Sequence, residues 1–352
     1  MTQYLIRRLI GAVFVIWIVT TFGFFALRVL PGDFAAQQVA NQFLSGATAR
    51  GKSDVATTEA QGQATERESN QSNSANVERS LQAARERLGI DKSIPHQYGL
   101  YWKNFFTGDH GTSFRTSRPA VTETLEALPY TLQLGLMSII IALLLAVPVG
   151  ILSAMRPNTF MDGSLRVFAI FFLAAPSFWT AALLSGWAVK FDILEINIVK
   201  SPGIWQDPWE SFQLFIVPAL AGGLATGAIL MRFIRSGLLE VLRQDYVRTA
   251  HAKGLRERAV MARHVLRNAL IPVVTIIGFI IAALVAGNII LETMFNIRGM
   301  GQQLFRAILM RDVHVAQFMT LLFVGAVVFV NLAVDLSYFL IDPRVTVSSV
   351  EQ

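Results

Sequence analysis

A short polar and basic segment between two long apolar stretches has the residue types of a binding surface for another protein. Its small alanines would let a partner approach closely, its tyrosine and leucine would supply apolar contact, and its charged residues would bond at the rim. The alternative is an ordinary basic loop that binds nothing. The candidate contact residues are Asp245, Tyr246, Arg248, Thr249, Ala250, Ala252, Lys253, Gly254 and Leu255.

The position of Gly254 favours a built docking surface over a plain basic loop. Glycine costs about 1 kcal/mol relative to alanine inside a helix, whereas it suits the residue that ends one. We therefore expect a first helix near Leu238–Lys253, a turn at Gly254–Leu255, and a second helix that leads to Pro272.

Four polar residues lie in or beside the apolar stretches of the second half of the chain. Polar groups at such positions are expensive in a membrane and often functional. One interpretation places all four along the path of a polar substrate; the other gives them helix–helix hydrogen bonds or a place at the membrane interface. They are Asn288, Glu292, Asn331 and Asp335.

Residues 46–53 match the phosphate-loop pattern G-x-x-x-x-G-K-[ST]. That motif binds phosphate when a strand precedes it and a helix N-terminus follows it. A polar tract follows here instead, so we expect neither ATP binding nor ATPase activity on this chain.

No catalytic or metal-binding constellation is present in the sequence. There is no cysteine, which excludes disulfides and thiolate sites, and the five histidines show no ligand spacing. Nucleophile elbows, His-Glu-x-x-His and paired carboxylates within one apolar stretch are also missing. We therefore expect no catalytic residue, no metal site and no cofactor bound by this chain.

Six apolar stretches approach or exceed the roughly 20 residues that cross a bilayer as a helix. Only helices satisfy their own backbone groups within lipid, so the sequence predicts an all-α membrane protein with six transmembrane helices. Pro148, Pro176 and Pro218 should each kink a helix. The stretches are Leu9–Leu27, Tyr130–Leu152, Val167–Val189, Phe212–Met231, Ala269–Leu291 and Ala316–Ile341.

The positive charge is concentrated in one loop. Nine Lys and Arg residues and only three acids lie between Arg232 and Asn268, which is typical of the cytoplasmic side of a membrane protein. With six spans, both termini are then cytoplasmic. Because this pattern accounts for the net charge of +6, a nucleic-acid-binding membrane anchor is not favoured, and no nucleic-acid partner is expected.

These assignments divide the chain into four regions. Residues 1–29 form the cytoplasmic N-terminus and first helix, and residues 30–127 form an extracytoplasmic region. Within that region we expect disorder at 47–76, which has almost no large apolar residue, and a small folded cap at 77–127, with a helix at Val77–Leu88. Residues 128–341 form a five-helix core with a cytoplasmic loop at 232–268, and residues 342–352 form a cytoplasmic tail.

Several short motifs also follow one another in a fixed order along the chain. They include Pro31-Gly32-Asp33, Arg87-Leu88-Gly89-Ile90-Asp91, Pro95-His96-Gln97-Tyr98, Gly108-Asp109-His110-Gly111-Thr112-Ser113, Leu128-Pro129-Tyr130-Thr131-Leu132, Glu292–Gly301 and Asp342-Pro343-Arg344-Val345.

In this order the motifs resemble the first, or B-type, permease subunit of the dipeptide/oligopeptide/nickel family of ABC importers. The segment Asp245–Leu255 resembles that family's coupling loop, whose general pattern is Glu-Ala-Ala, three residues and Gly. Arg248 and Thr249 stand in place of the Glu and first Ala, and Arg298 stands where the family commonly has Pro. The resemblance covers almost the whole chain except residues 34–76.

The resemblance implies a type I ABC importer permease fold in the inner membrane, with a periplasmic insertion between helices 1 and 2. This chain and a C-type permease would form the path, two ATPase subunits would hold ATP and Mg, and an extracytoplasmic substrate-binding protein would deliver cargo. Family cargoes are di- and oligopeptides, nickel chelates, glutathione or sugars. The alternative is a stand-alone secondary transporter or channel, which would call for buried charge pairs or repeated halves.

Overall fold

The computed structural model describes residues 2–29, 79, 82, 92–194, 202–285 and 287–341. Helices joined by turns make up these residues, which agrees with the predicted all-α class. In chain order the elements are α1 (Thr2–Val29), α2 (Ile94–Thr107), α3 (Ala120–Met155), α4 (Phe160–Ala174), α5 (Ser177–Lys190), α6 (Pro208–Leu242), α7 (Asp245–Ala252), α8 (Glu257–Val260), a π-helical turn (Met261–Val265), α9 (Leu266–Ala269), α10 (Ile271–Val285), α11 (Ile289–Met294), α12 (Met300–Leu309) and α13 (Val313–Ile341).

Some expectations fall outside this description. The disorder expected at 47–76 and the tail at 342–352 lie outside the described residues. So does the helix expected at Val77–Leu88, apart from Arg79 and Gln82, which are helical.

Within the described residues, four helices have the length and composition to cross a membrane. They lie in α1, α3, α6 and α13, and each contains one of the predicted spans. Taken together, α4 and α5 are long and apolar enough for a fifth crossing, although the two helices meet at an angle of 105°. The chain is therefore a multi-pass membrane protein.

The prediction of one continuous span at Val167–Val189 is wrong. The helix stops at Ala174 and restarts at Ser177, because Pro176 has no N–H to continue the hydrogen-bond ladder and restricts the residue before it. Pro148 and Pro218, by contrast, are accommodated inside α3 and α6.

The predicted fifth span at Ala269–Leu291 is also too long. Its continuous apolar part is the 15-residue helix α10. Gly287 then adopts a φ of +79°, a conformation that glycine tolerates and that ends a right-handed helix. Residues Ile289–Leu291 belong to α11 instead.

One compact unit of the chain contains residues 1–17, 127–303 and 322–352. Its central helix is α6, which buries side chains along its length from Ser211 to Leu238. The backbone of α3 approaches α6 closely: a Cβ at Gly223 would lie 2.7 Å from Ile141, and one at Gly227 would lie 3.3 Å from the Ala142 carbonyl oxygen. The small residues Gly223 and Gly227 of α6 therefore allow close helix packing.

Two apolar clusters lie along α6 in this unit. The first joins α3, α4 and α6 to α7 and to the residues that follow it, up to Val273. The second joins α3, α5 and α6 to α11 and the turn after it, up to Ile297. The core thus holds α7 at one end of α6 and α11 at the other.

A second compact unit contains residues 18–126 and 304–321. Aromatic rings of α1 and α2 pack together there, with Phe24 lying 5.4 Å from both Tyr98 and Tyr101 between ring centroids. The turn after α2 is bound to the start of α13 through Asp312, whose carboxylate accepts hydrogen bonds from the Ser113 hydroxyl and the Phe114 amide.

Candidate functional site

The predicted docking segment forms a separate short helix, α7. The expected single helix over Leu238–Lys253 is wrong, because the chain leaves helical geometry between Leu242 and Asp245, where Gln244 is extended. Neither glycine nor proline marks this break, so the sequence carried no signal for it.

The end of α7 confirms the predicted role of Gly254. Its φ is +73°, its amide donates to the His251 carbonyl at 2.9 Å, and the Leu255 amide donates to the Ala250 carbonyl at 3.4 Å. These two bonds are those of a Schellman motif, in which a left-handed residue satisfies the last carbonyls of a helix. The chain therefore turns away sharply after Lys253.

One face of α7 is buried and the other is exposed. Val247 and Ala250 are 1% and 5% exposed, and both belong to the first apolar cluster. Ala250, expected to face a partner, therefore supports the helix from beneath. The exposed residues among the candidates are Asp245, Tyr246, Arg248, Thr249, Ala252, Lys253, Gly254 and Leu255.

The exposed face of α7 combines apolar and charged groups. Tyr246 and Leu255 are 43% and 42% exposed. The Arg248 guanidinium lies 3.4 Å from the Asp245 carboxylate, and both side chains are largely in solvent, so this pair contributes little to stability. The Tyr246 hydroxyl accepts a hydrogen bond from the side-chain amide of Asn268 at 3.0 Å. This bond connects α7 to α9.

The structure places Asn288 and Glu292 together in α11. Asn288 is the N-cap, and its side-chain oxygen accepts from the Leu291 amide at 3.2 Å. Glu292 is fully buried. Its carboxylate accepts from the Thr131 hydroxyl and from the Gln302 amide, each at 2.9 Å, and further backbone bonds come from Gly301 and Asn288.

Three glycines surround the Glu292 carboxylate. A Cβ at Gly299 would lie 2.4 Å from Glu292 Oε2, one at Gly301 would lie 2.9 Å from it, and one at Gly287 would lie 3.1 Å from Oε1. Side chains at these positions would exclude the carboxylate, so the glycines allow the backbone to approach it. Burial raises the pKa of Glu292, while the hydrogen bonds from Gln302, Thr131, Gly301 and Asn288 oppose that rise.

Thr131 completes this arrangement from α3. Its hydroxyl donates to Glu292 and accepts from the Met300 amide at 2.8 Å. Thr131, Gly299 and Gly301 belong to short motifs of the sequence, but their spacing did not predict that they meet. The glycines before and after Met300 were the available signal, because a backbone that must approach a buried group closely needs such residues.

The other two substrate-path candidates lie elsewhere. Asn331 is partly buried in α13. Asp335 follows in the same helix, and its side chain lies outside the described residues. In the part of the chain that the structure describes, no group of three or more His, Cys, Asp or Glu side chains is arranged to hold a metal ion.

An ion pair that the sequence did not predict joins two helices of the first cluster. Arg235, counted only among the basic residues of the loop, bonds the buried Asp162 of α4 through two nitrogens. Seventy-three residues separate the two, and no local pattern links residues so far apart.

Comparisons with known proteins agree with this architecture. Residues 146–347 match the family described as binding-protein-dependent transport system inner membrane component. The chain is 38% identical over 279 residues to the dipeptide transport system permease protein DppB of Alkalihalophilus pseudofirmus, which covers 74% of this chain and 84% of that protein.

Two further relatives extend the comparison. The glutathione transport system permease protein GsiC of Pectobacterium atrosepticum is 33% identical over 345 residues, covering 98% of this chain and 99% of that protein. A putative peptide permease protein of Brucella suis is 37% identical over 278 residues, covering 78% and 87%. This chain therefore belongs to the family of binding-protein-dependent transport system inner membrane components and is a pore-forming permease subunit of an ABC importer.

Proposed function

We propose that this chain is the B-type permease of a peptide importer. It pairs with a C-type permease, and the two line one path through the inner membrane. Two ATPase subunits bind on the cytoplasmic side and hold ATP and Mg, while an extracytoplasmic substrate-binding protein delivers the cargo. This chain itself binds no cofactor and catalyses no reaction.

The two-faced structure of α7 is the observation that carries this proposal. Its buried face, Val247 and Ala250, lies in the same apolar cluster as α3, α4 and α6, while its other face is open to a partner. Because close-packed interiors transmit displacement, a force applied to the exposed face moves the membrane helices. An unattached loop would absorb the same force.

The proposed mechanism follows from that attachment. ATP-driven closure of the ATPase pair moves α7, the cluster carries the movement into α4 and α6, and the helices tilt around the path. Access then switches from the inside to the outside, where the binding protein releases its cargo. The contact surface consists of the exposed residues of α7 and the Gly254–Leu255 turn.

Sidedness and span number complete the proposed topology. The basic loop at 232–268 lies in the cytoplasm, and six spans place both termini there too. In this topology α4 and α5 form the third span, and the short α10 forms the fifth. Residues 30–127 then form the extracytoplasmic insertion between the first two spans, which lie in α1 and α3.

Peptides are the proposed cargo. The relatives' names refer to dipeptide, peptide and glutathione transport, and all of these substrates carry peptide bonds. Asn288, Glu292, Asn331 and Asp335 are the candidates for the substrate path. Glu292 can contact cargo only after the bonds that enclose it open, so Asn288 is the more accessible of the pair in α11.

Co-purification tests the proposal. The chain is tagged, extracted in mild detergent, and its partners are identified for the wild type and for Gly254→Asp in parallel. We expect an ATPase and a second permease with the wild type and less ATPase with the variant. Asp tolerates a positive φ, and a Cβ at Gly254 meets no atom within 4 Å, so the variant should fold.

Gly254→Asn is the matched control for charge. It has nearly the same shape and the same tolerance of positive φ, but it is neutral, so a difference from Gly254→Asp reports charge at the interface. Unchanged ATPase retention and uptake in both variants would contradict docking at this turn. A chain that purifies alone in several detergents would instead favour a secondary transporter or channel.

A further inference from the structure

A buried ion pair joins three helices at the end of the core that carries α7. Asp162, in the first turn of α4, is fully buried, and Arg235 of α6 is 18% exposed. Arg235 Nε lies 2.9 Å from Asp162 Oδ1, and its Nη2 lies 2.9 Å from Oδ2. This two-pronged arrangement fixes orientation as well as distance.

Two other groups donate hydrogen bonds to the Asp162 carboxylate. The Ser153 hydroxyl of α3 donates to Oδ1 at 2.5 Å, and the Asn158 amide donates to Oδ2 at 3.0 Å. Arg235 Nε also lies 3.0 Å from Ser153 Oγ. A single carboxylate near the favourable N-terminal end of a helix dipole therefore links α3, α4 and α6.

Such a pair is poorly explained as a source of stability alone. Desolvation of two buried charges commonly offsets most of their attraction, and apolar residues of similar size often serve as well. What the pair supplies is a defined geometry, because a planar guanidinium bonded at two points resists rotation and sliding in a way that apolar contact does not.

The ion pair and apolar packing together attach α4 to the core. Asp162 and Ala169 are the buried residues of α4, and most of its large side chains, such as Phe160 and Val167, are exposed. Ala169, with the partly buried Leu165 and Phe172, provides the apolar contact, which does not by itself fix orientation. The ion pair therefore supplies the directional part of the connection between α4 and α6.

Arg235 is also well placed to respond to α7. Its neighbours Ile234 and Leu238 are at most 1% exposed and share the first apolar cluster with Val247 and Ala250. A displacement of α7 therefore reaches the last two turns of α6, where Arg235 lies. Asp162 receives it at the start of α4, which continues through the 105° bend into α5.

We propose that Asp162 and Arg235 are a positioning pair that transmits the movement of α7 to the bent helices α4 and α5. The pair acts through these helices and does not touch the cargo. This inference rests on the proposed coupling role of α7, and it adds the route by which coupling reaches the third span.

Two substitutions and a matched control test the pair. Arg235→Ala removes the bond, and Arg235→Lys keeps the charge but loses the two-pronged geometry. Arg166→Ala is the control, since Arg166 lies 3.6 Å from the same carboxylate but on α4 itself and half-exposed. The complete importer is reconstituted in vesicles, and ATP hydrolysis is measured beside uptake of tritiated glutathione and a tritiated dipeptide.

We expect the Arg235 variants to retain their ATPase subunits and to hydrolyse ATP, while uptake per ATP falls about tenfold for Ala and less for Lys. A change of this size lies within the usual range of coupling between distant sites. Arg166→Ala should leave the ratio unchanged. The proposal would be overturned if the Arg235 variants lost their ATPase subunits, or if Arg235→Ala left uptake per ATP unchanged. Docking of the ATPase at α7 is tested separately, by the Gly254 variants.

A distance measurement gives a result that needs no cargo. The chain has no cysteine, so spin labels can be placed at Ser164 of α4 and Ser236 of α6, both exposed. In the wild type the distance between labels should be the same with and without ATP and vanadate. In Arg235→Lys, which retains the buried charge and is the safer variant for folding, the distance should shift or broaden with nucleotide; an invariant distance in both proteins would overturn the proposal.

Discussion

Replacing Gly299 by alanine should destabilise the chain through one identifiable collision. The added Cβ would lie 2.4 Å from Glu292 Oε2 and 2.7 Å from the Thr131 hydroxyl oxygen. These atoms are buried and bonded to each other and to the backbone, so none can move without breaking a hydrogen bond.

The size of the effect follows from two contributions. Inserting a methyl group into a packed site costs about 1–3 kcal/mol, and a buried polar group that loses its partner costs about 1–3 kcal/mol. We therefore expect a loss of roughly 2–6 kcal/mol in the free energy of unfolding. The thermal midpoint of the chain in detergent should fall by on the order of 3–8 °C.

Gly254→Ala is the control for this experiment. Its Cβ would meet no atom within 4 Å, so only the positive φ is strained, at a cost of about 1 kcal/mol. Thermal unfolding followed by intrinsic fluorescence should therefore rank Gly299→Ala well below Gly254→Ala, and both below the wild type. If Gly299→Ala unfolds at the wild-type midpoint, the Glu292 carboxylate does not lie against that glycine.

Three further outcomes are expected. Burial raises the pKa of Glu292 above its ordinary 4.5. The stability that protonated Glu292 contributes is therefore present below pH 4.5 and is lost as the pH rises through the folded-state pKa. The thermal midpoint should fall over this pH range in the wild type but not in Glu292→Gln. Asn288→Leu should lose a helix cap worth about 1 kcal/mol, which Asn288→Ser keeps. If Asn288 also lines the substrate path, only the Leu variant should lose uptake, and its assembly with the ATPase should be unchanged. Equal loss of uptake and assembly would indicate a structural role. Asp312→Ala removes the hydrogen-bond acceptor for Ser113 and Phe114. Limited proteolysis should therefore cleave residues 108–119 faster in this variant than in the exposed control Arg118→Ala. Equal cleavage rates would show that Asp312 does not hold this turn.

Apolar length and local geometry were readable from the sequence. The long spans in α1, α3, α6 and α13 were predicted because a bilayer requires about 20 apolar residues in a helix. Such a run of apolar residues is visible directly in the sequence. Gly254 was predicted because a helix end needs a residue that tolerates positive φ. Both features depend on neighbouring residues only.

Features that depend on distant partners were not readable. The break before Asp245 has no glycine or proline, and it lies just before Val247 and Ala250, which pack against the core. The bonds from Thr131 to Glu292 and from Arg235 to Asp162 join residues 161 and 73 positions apart. Their partners could not be chosen before the helices were placed, because each carboxylate has many possible donors in the sequence.

The sharp bend between α4 and α5 has a consequence for how the protein is made. The two helices have 15 and 14 residues, and neither alone reaches the length that a straight span needs. In the proposed topology they form one span, so during synthesis they enter the membrane together as one apolar segment. Both pack against α6, which leaves the ribosome later, so the bend reaches its final packed form only after that helix has joined. Truncation before α6 should therefore yield an inserted but immature segment that quality-control proteases recognise.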